Sequence, residues 1–301
     1  MKSSLRSGFM LGSMIVSWSI YYAISKYTVS ATGSPLVAGF LLRAFALVFL
    51  TLQLVCDGNF AKLLRQGRAA ALLLLIGVFG FLLDLFANLG YAGGSLSTGT
   101  ALLKTDVLMV NLATVILYHK RLFVSDWVGT FIMLAGVLLV LGVHFGEMSF
   151  HPTDLFFLLS ALCVTANAFI IKGAQKKYNV DSDMISYYNN FTVLALFLVS
   201  SLVSSDMKAA SVGTLPGFWW LCALGGLAQT GIYFFYYRNL KKYEVWVVKL
   251  YLLLMPVVSC FIGAAFLNET LTGEKILGIA VVLVGAAVIL LRDKLNRKQA
   301  A

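Results

Sequence analysis

The segment Leu36–Val55, LVAGFLLRAFALVFLTLQLV, carries a single charge, Arg43. A hydrocarbon layer of roughly 30 Å is crossed by about 20 apolar residues rising 1.5 Å each. The segment therefore reads as a membrane-crossing helix whose one arginine needs a partner. Working outward, Gly8–Val29 precedes it, and Ala69–Tyr91, Thr98–Leu117, Ser125–Val143, Thr153–Gly173, Asp183–Val203, Gly217–Tyr237, Glu244–Leu267 and Gly273–Leu291 follow in the same style. The expected fold class is all-α and integral to the membrane, with ten transmembrane helices, short connections and no soluble domain. Composition agrees: 60% of the 301 residues are hydrophobic and 12% charged, too little polar surface for a water-facing globule. This excludes an ordinary cytosolic enzyme, a disordered chain and a nucleic-acid binder of the usual kind. Cys56, Cys163, Cys222 and Cys260 are scattered, with neither CxxC nor metal-ligand spacing.

The net charge of +10 marks topology. With the N-terminus inside, Lys2, Arg6, Lys62, Arg65, Arg68, Lys120, Arg121, Lys172, Lys176, Lys177, Arg238, Lys241, Lys242 and the four basic residues after Leu291 all fall on cytoplasmic segments. Only Lys208 and Lys275 fall outside, so both termini are expected in the cytoplasm. Pro35, Pro152 and Pro216 stand just before runs that enter from outside, where a missing N–H costs least.

The chain also repeats itself. A shift of 146 lays Lys26 on Lys172, Phe45 on Phe191 and Tyr91 on Tyr237. After three extra residues, a shift of 149 lays Leu122 on Leu271, Gly129 on Gly278 and Gly136 on Gly285. Collinearity makes these weak matches persuasive. Residues 1–146 and 147–301 thus read as two five-helix repeats. An odd number of crossings turns the second upside down, a recurring plan of secondary transporters.

Lysine near the end of the first run of each repeat (Lys26, Lys172), with Pro256-Val257, Asn268-Glu269-Thr270-Leu271, Gly278 and Gly285, resembles the EamA-type drug/metabolite transporter superfamily. The N-terminal repeat departs from it, with Val107 opposite Pro256 and Lys120 opposite Glu269. The resemblance implies a transporter of small organic molecules and not an enzyme, and it alone favours export. Tyr188-Asn189-Asn190 also resembles a motif of nucleotide-sugar transporters in the same superfamily, although only Lys249 remains of that motif's partner sequence.

Ionisable groups at membrane depth should be paired, face an aqueous cavity, or both. Arg43, Asp84, Lys104 and Asp106 are expected in one layer about 10–13 Å below the outer surface, counting 1.5 Å per residue. At least two should be partners. Lys104 and Asp106 should not pair with each other, because positions i and i+2 point apart. Lys104 shares a face with Asn111, and Asp84 with Asn88 and Tyr91. Two readings stand: a structural ion-pair lock, or Asp84 or Asp106 as a proton, cation or amine site.

The second repeat offers Asn167, Tyr188, Asn189, Asn190, Gln229 and Lys249, either as interhelical hydrogen-bonders or as readers of a polar substrate. In the second case Lys249 would hold a substrate carboxylate or phosphate. Trp18 and Tyr22 share a face of the first run, as Tyr233 and Tyr237 do of the eighth; packing or a cavity wall would explain either stripe. Pro256 should kink the ninth run, and the pairs Gly8/Gly12, Gly129/Gly136 and Gly278/Gly285 should mark close helix contacts. With no GxxxxGK[ST], any energy must come from gradients. No cofactor or metal is expected. The expected partners are a small-molecule substrate, the lipid bilayer and, in one reading, protons, with no nucleic acid and a monomeric or homodimeric chain. The expected site of action is a bacterial inner (plasma) membrane. A passive channel is the alternative of a different class.

Overall fold

Short, polar punctuation sets where each helix begins and ends. The computed structural model describes residues 2–67, 69–93, 102–119, 122–142, 152, 154–209, 217–258, 261 and 271–299, and all its regular structure is helical. Helix α1 (Lys2–Thr32) runs into α2 (Pro35–Cys56) through Gly33, whose φ of +67° is easily reached only without a Cβ. Ser34 caps α2, its hydroxyl accepting from Val37 N at 3.3 Å, and Pro35 occupies the first turn, as its position in the sequence predicts. After a 3₁₀ turn at Phe60–Arg65 come α3 (Ala70–Gly93), α4 (Asp106–Tyr118) and α5 (Val124–Val140). The second half holds α6 (Asp154–Lys177), α7 (Ser182–Val203), α8 (Phe218–Lys242), α9 (Val245–Leu252) and α10 (Gly273–Gln299). A single turn, Asp206–Ala209, lies between α7 and α8.

Among the described residues six helices are long and apolar enough to cross a membrane. These are Gly8–Val29, Pro35–Cys56, Ala70–Ala87, Leu155–Lys177, Ser182–Val203 and Phe218–Lys242. Asp106–Leu117, Val124–Val140 and Val245–Val258 are apolar but shorter. Their outer faces suit lipid: Ile116, Leu117, Phe131, Val203 and Trp220 are all exposed. Helices α1 and α10 extend beyond the apolar runs Gly8–Val29 and Gly273–Leu291, because polar residues continue a helix once it leaves the apolar layer.

The helix packing has an internal order. Helix α1 packs on α8 and α3 on α6; α2 packs on α7 and α8, and α3 also on α7; α4 meets α9, and α5 meets α10. Moving every helix number by five returns these partnerships. One apolar core, including Met14, Leu42, Leu73, Ile171, Ile185, Leu240 and Val248, draws on both halves of the sequence.

Glycine builds the α5–α10 crossing. A Cβ added at Gly136 would stand 2.6 Å from Val282 N and 2.8 Å from the Gly278 carbonyl oxygen, and one at Gly278 2.7 Å from Val140 N. Gly129 and Gly285 face each other in the same way. The four glycines read as packing residues do pack. Gly8 and Gly12, read alike, do not: a Cβ there would meet nothing within 4 Å.

Two helices are broken. The turn at Lys104-Thr105 separates Leu102-Leu103 from α4, and the turn at Leu253-Leu254 ends α9 before Met255–Val258 resumes. Tight i→i−3 bonds mark both: Thr105 N to Leu102 O at 3.1 Å, Val107 N to Lys104 O at 3.3 Å, Leu253 N to Leu250 O at 3.0 Å and Leu254 N to Tyr251 O at 3.1 Å. The second break lies just before Pro256, as a helix-breaking proline predicts. The first has no proline near it. The two turns are separated by 149 residues, the offset that aligns Gly129 with Gly278.

Candidate functional site

Two enclosed ion pairs link the halves of the chain: one lies within the first half and bonds to the second, and the other has a member in each. Arg43 on α2 meets Asp84 on α3, Nη2 to Oδ2 at 2.7 Å. Its other Nη donates to the Tyr233 hydroxyl on α8, and its guanidinium lies 5.8 Å from the Tyr21 ring and 5.6 Å from the Tyr233 ring. Asn190 on α7 donates to the Arg43 carbonyl at 2.9 Å. Lys249 on α9 meets Asp106 on α4, Nζ to Oδ2 at 2.8 Å, across 143 residues of sequence. This second pair is the more enclosed. The Lys249 and Asp106 side chains are 2% and 12% accessible, against 7% and 23% for Arg43 and Asp84. Asp106 also opens the α4 segment that follows the break, where a negative charge is favoured by the helix N-terminus.

Tyrosines connect the pairs. The Tyr233 and Tyr237 rings are 5.4 Å apart, those of Tyr236 and Tyr237 5.6 Å, and Lys249 Nζ lies 5.8 Å from the Tyr236 ring. Trp18 meets Tyr236 edge-on at 5.2 Å. Asn189 donates to the Tyr237 hydroxyl.

The two breaks are clasped alike. Ser19 Oγ on α1 donates to the Met255 carbonyl at 3.3 Å; Thr165 Oγ1 on α6 donates to the Ala161 carbonyl of its own helix at 2.8 Å and also stands 3.4 Å from the Asp106 carbonyl. Ser19 and Thr165 are 146 apart, and Asp106 and Met255 149 apart, so the clasps correspond under the offsets of the repeat. In each, a hydroxyl from one half's first helix holds the other half's broken helix.

Several expectations change against this geometry. Arg43 and Asp84 pair, and Lys104 and Asp106 do not. Lys249 joins them from the second half of the chain. Lys249, four residues into α9, reaches Asp106 at the start of α4. In this structure Lys249 holds Asp106. Asn111 turns toward α5, donating to Thr130 Oγ1 at 3.4 Å, because the break at Lys104-Thr105 interrupts the face it would share with Lys104. Tyr188 donates to the Leu63 carbonyl at 2.8 Å and so leaves the centre where Asn189 and Asn190 bond. Asn167 is buried, its Oδ1 without a partner among the described residues. In the Trp18–Tyr22 stripe Trp18 packs while Tyr22 is 44% exposed. The side chains of Asn88 and Tyr91 lie outside the described residues.

Sequence reasoning missed Tyr21, Tyr236, Ser19 and Thr165. For the last two the 146 offset was an available signal; for the tyrosines, which stand beside named aromatics, there was none. Lys172 proves to be a cap: its Nζ donates to the carbonyls of Leu240 and Tyr243, both at 2.6 Å, at the end of α8.

A family model described as the EamA-like transporter family matches residues 7–142 and again 151–291. No curated protein matches. A solved structure, titled only as the crystal structure of a protein, shares 19% identity with a TM-score of 0.78, covering 96% of this chain and 98% of its own. At that identity the likeness concerns the fold. The double family match spans nearly the whole sequence and divides where the chain repeats, and this chain accordingly belongs to the EamA-like transporter family, membrane transporters of small solutes.

Proposed function

We propose that the protein is a secondary active transporter of a small polar or amphipathic organic metabolite, amino-acid-like or amine-like, working by alternating access of two inverted five-helix halves, residues 1–146 and 147–301. Ten helices then cross a bacterial inner membrane, both termini are cytoplasmic, and the direction is export. One observation carries the reading: α4 and α9 are broken at equivalent places, each break clasped by a hydroxyl from the opposite half. Broken helices at the middle of a repeat interface put flexible, polar backbone where a site and a hinge are both needed. The Asp106–Lys249 pair joins the halves at that place, and a bond that forms in one state and opens in another can bias the equilibrium between them.

Asp84 supplies a candidate proton site. Its Oδ2 is held by Arg43, while the side chain keeps 23% of its surface accessible. A carboxylate that is partly exposed and has one cationic partner can exchange a proton with water and release or recapture that partner.

Reconstitution tests the proposal. Liposomes containing the purified chain, loaded with labelled amino acids and amines, should give saturable flux that accelerates when the same compound is present on the far side. A proton gradient should drive it. Non-saturating flux without acceleration by far-side substrate would make the protein a channel.

A further inference from the structure

Three helix ends meet on one carboxylate. Arg238, four residues before the end of α8, bonds both oxygens of Asp183, the second residue of α7: Nη2 to Oδ1 at 2.9 Å and to Oδ2 at 3.0 Å. Gln53, near the end of α2, donates to the same Oδ1 at 3.2 Å. Beside them Lys241 Nζ lies 3.9 Å from Asp181 Oδ1, between the same ends of α8 and α7. One helix of the first half is thus tied to two of the second, at the end of the bundle that the proposed topology puts in the cytoplasm. The repeat shows what stands at the other end. An offset of 146 lays Asp183 on Val37, Gln53 on Val199 and Arg238 on Ala92, and none of these three can make such a tie. At that end Ser34 Oγ donates to Asp206 Oδ2 at 2.5 Å, which joins α2 to the turn after α7 and does not include α8.

Each member of the tie has a place to go when it parts. Arg238 also donates through Nη1 to the Phe234 carbonyl at 3.2 Å and lies 3.6 Å over the Phe234 ring, both within α8. Asp183 stands in the first turn of α7, where free N–H groups favour a negative charge whatever its partner. The two side chains are 28% and 20% accessible, so water can replace the bonds that are lost. A fixed contact lies further along. At Gly226, twelve residues or about 18 Å from Arg238, α8 touches α2 so closely that a Cβ would stand 2.7 Å from Ala46 N. The helix ends can swing apart about such a contact.

We propose that Arg238, Asp183 and Gln53 form the cytoplasmic gate of the carrier, shut in this structure, and that the lack of a counterpart at the outer end biases the empty protein toward the state closed to the cytoplasm. This rests on the transporter reading above and adds which side the empty carrier closes. The two access states of an exact inverted repeat would be equal in energy, and a tie present at one end only makes them unequal.

The test uses the full chain in proteoliposomes, after the four native cysteines are replaced by serine or alanine. Single cysteines are then modified with a membrane-impermeant maleimide from one side at a time. Ser186→Cys, one turn beyond Asp183, reports opening toward the cytoplasm, and Ser201→Cys, near the other end of α7, reports opening outward. Both serines are buried and their hydroxyls bond within α7, so sulfur replaces little. Without solute the outer reporter should react faster than the inner one. Arg238→Gln and Asp183→Asn should each speed the inner reporter and slow the outer, changing the ratio of the two rates by about threefold to tenfold, the range between an exposed ion pair and a strong charge-assisted bond. Arg238→Lys, which keeps the charge but loses the planar group over Phe234, should fall between.

A tie that only steadies the fold would lower the melting temperature and speed both reporters together, or leave both unchanged. Either result would overturn the gate, as would an inner reporter that is the faster one in the unaltered background. The two readings fail separately. Saturable, far-side-accelerated flux with reporters indifferent to Arg238→Gln and Asp183→Asn keeps the carrier and ends the gate. Reporters that move in opposite directions in a protein without carrier flux keep the two-state gate and end the carrier.

Discussion

The α4–α9 meeting and the α5–α10 crossing occupy equivalent places in the two halves, and they are built on opposite principles. At α5–α10 four glycines let backbone touch backbone, both helices are continuous, and the residues around them, including Val137, Met133, Val282 and Ile289, are apolar and buried. At α4–α9 both helices are broken, and the contact includes an ion pair and backbone held by borrowed hydroxyls. The first arrangement has many small contacts that all fail together. The second rests on a few strong, directional ones, each of which can be exchanged. A carrier needs both: a fixed contact to keep its halves in register and an exchangeable one to let them move.

Breaking the ion pair should expose that contrast most. Asp106→Asn leaves Lys249 charged and enclosed, and it should cost about 3–5 kcal/mol and abolish transport while the chain still inserts. Thermal unfolding and flux on the same preparation measure both. Adding Lys249→Met should recover most of the stability and none of the transport. Recovery of flux in the double variant would show that the pair is only a structural lock.

At the crossing the expectation inverts. Gly136→Ala puts a methyl 2.6 Å from Val282 N, where backbone and not a flexible side chain must yield, and should cost about 1–3 kcal/mol. Flux per folded molecule and KM should stay near wild type. A changed KM would mean that α5–α10 also moves during transport.

Asp84→Asn sharpens the comparison from the other pair. The lost partner is less enclosed, so the stability loss should be smaller than for Asp106→Asn, while gradient-driven flux should disappear and exchange of substrate for substrate persist. Gradient-driven flux at wild-type rate would remove Asp84 from any coupling role.

Ser19→Ala and Thr165→Val, tested singly and together, should each cost about 0.5–1.5 kcal/mol at most, as single hydrogen bonds do, yet shift the ratio of inward- to outward-accessible cysteine labelling. The smallest effect belongs to Tyr188→Phe, which removes the bond to Leu63 and should leave KM unchanged. A raised KM would return Tyr188 to the site.

Much of this was legible before any coordinates. The apolar runs, the offsets of 146 and 149 and the α5–α10 glycines follow from local pattern, because hydropathy and the small-residue spacing of a helix face depend on one segment alone. Pro256 announced the α9 break for the same reason. The equivalent α4 break was silent, since Val107 stands where its proline would be and the turn is marked only by its own i→i−3 bonds. Gly8 and Gly12 show the converse: the spacing of a close contact is present, but a Cβ at either would meet nothing within 4 Å among the described residues.

By itself, the sequence determined a membrane-embedded helical chain that repeats once and keeps a few ionisable groups in apolar surroundings. Only the tertiary structure decided which charge answers which. Asp106 could have met Arg43, and Lys249 a ligand. Periodicity fixes the direction of a side chain about its own helix axis, but the rotation and depth of one helix against another come from packing the whole bundle. That packing gave Asp84 to Arg43 and Asp106 to Lys249.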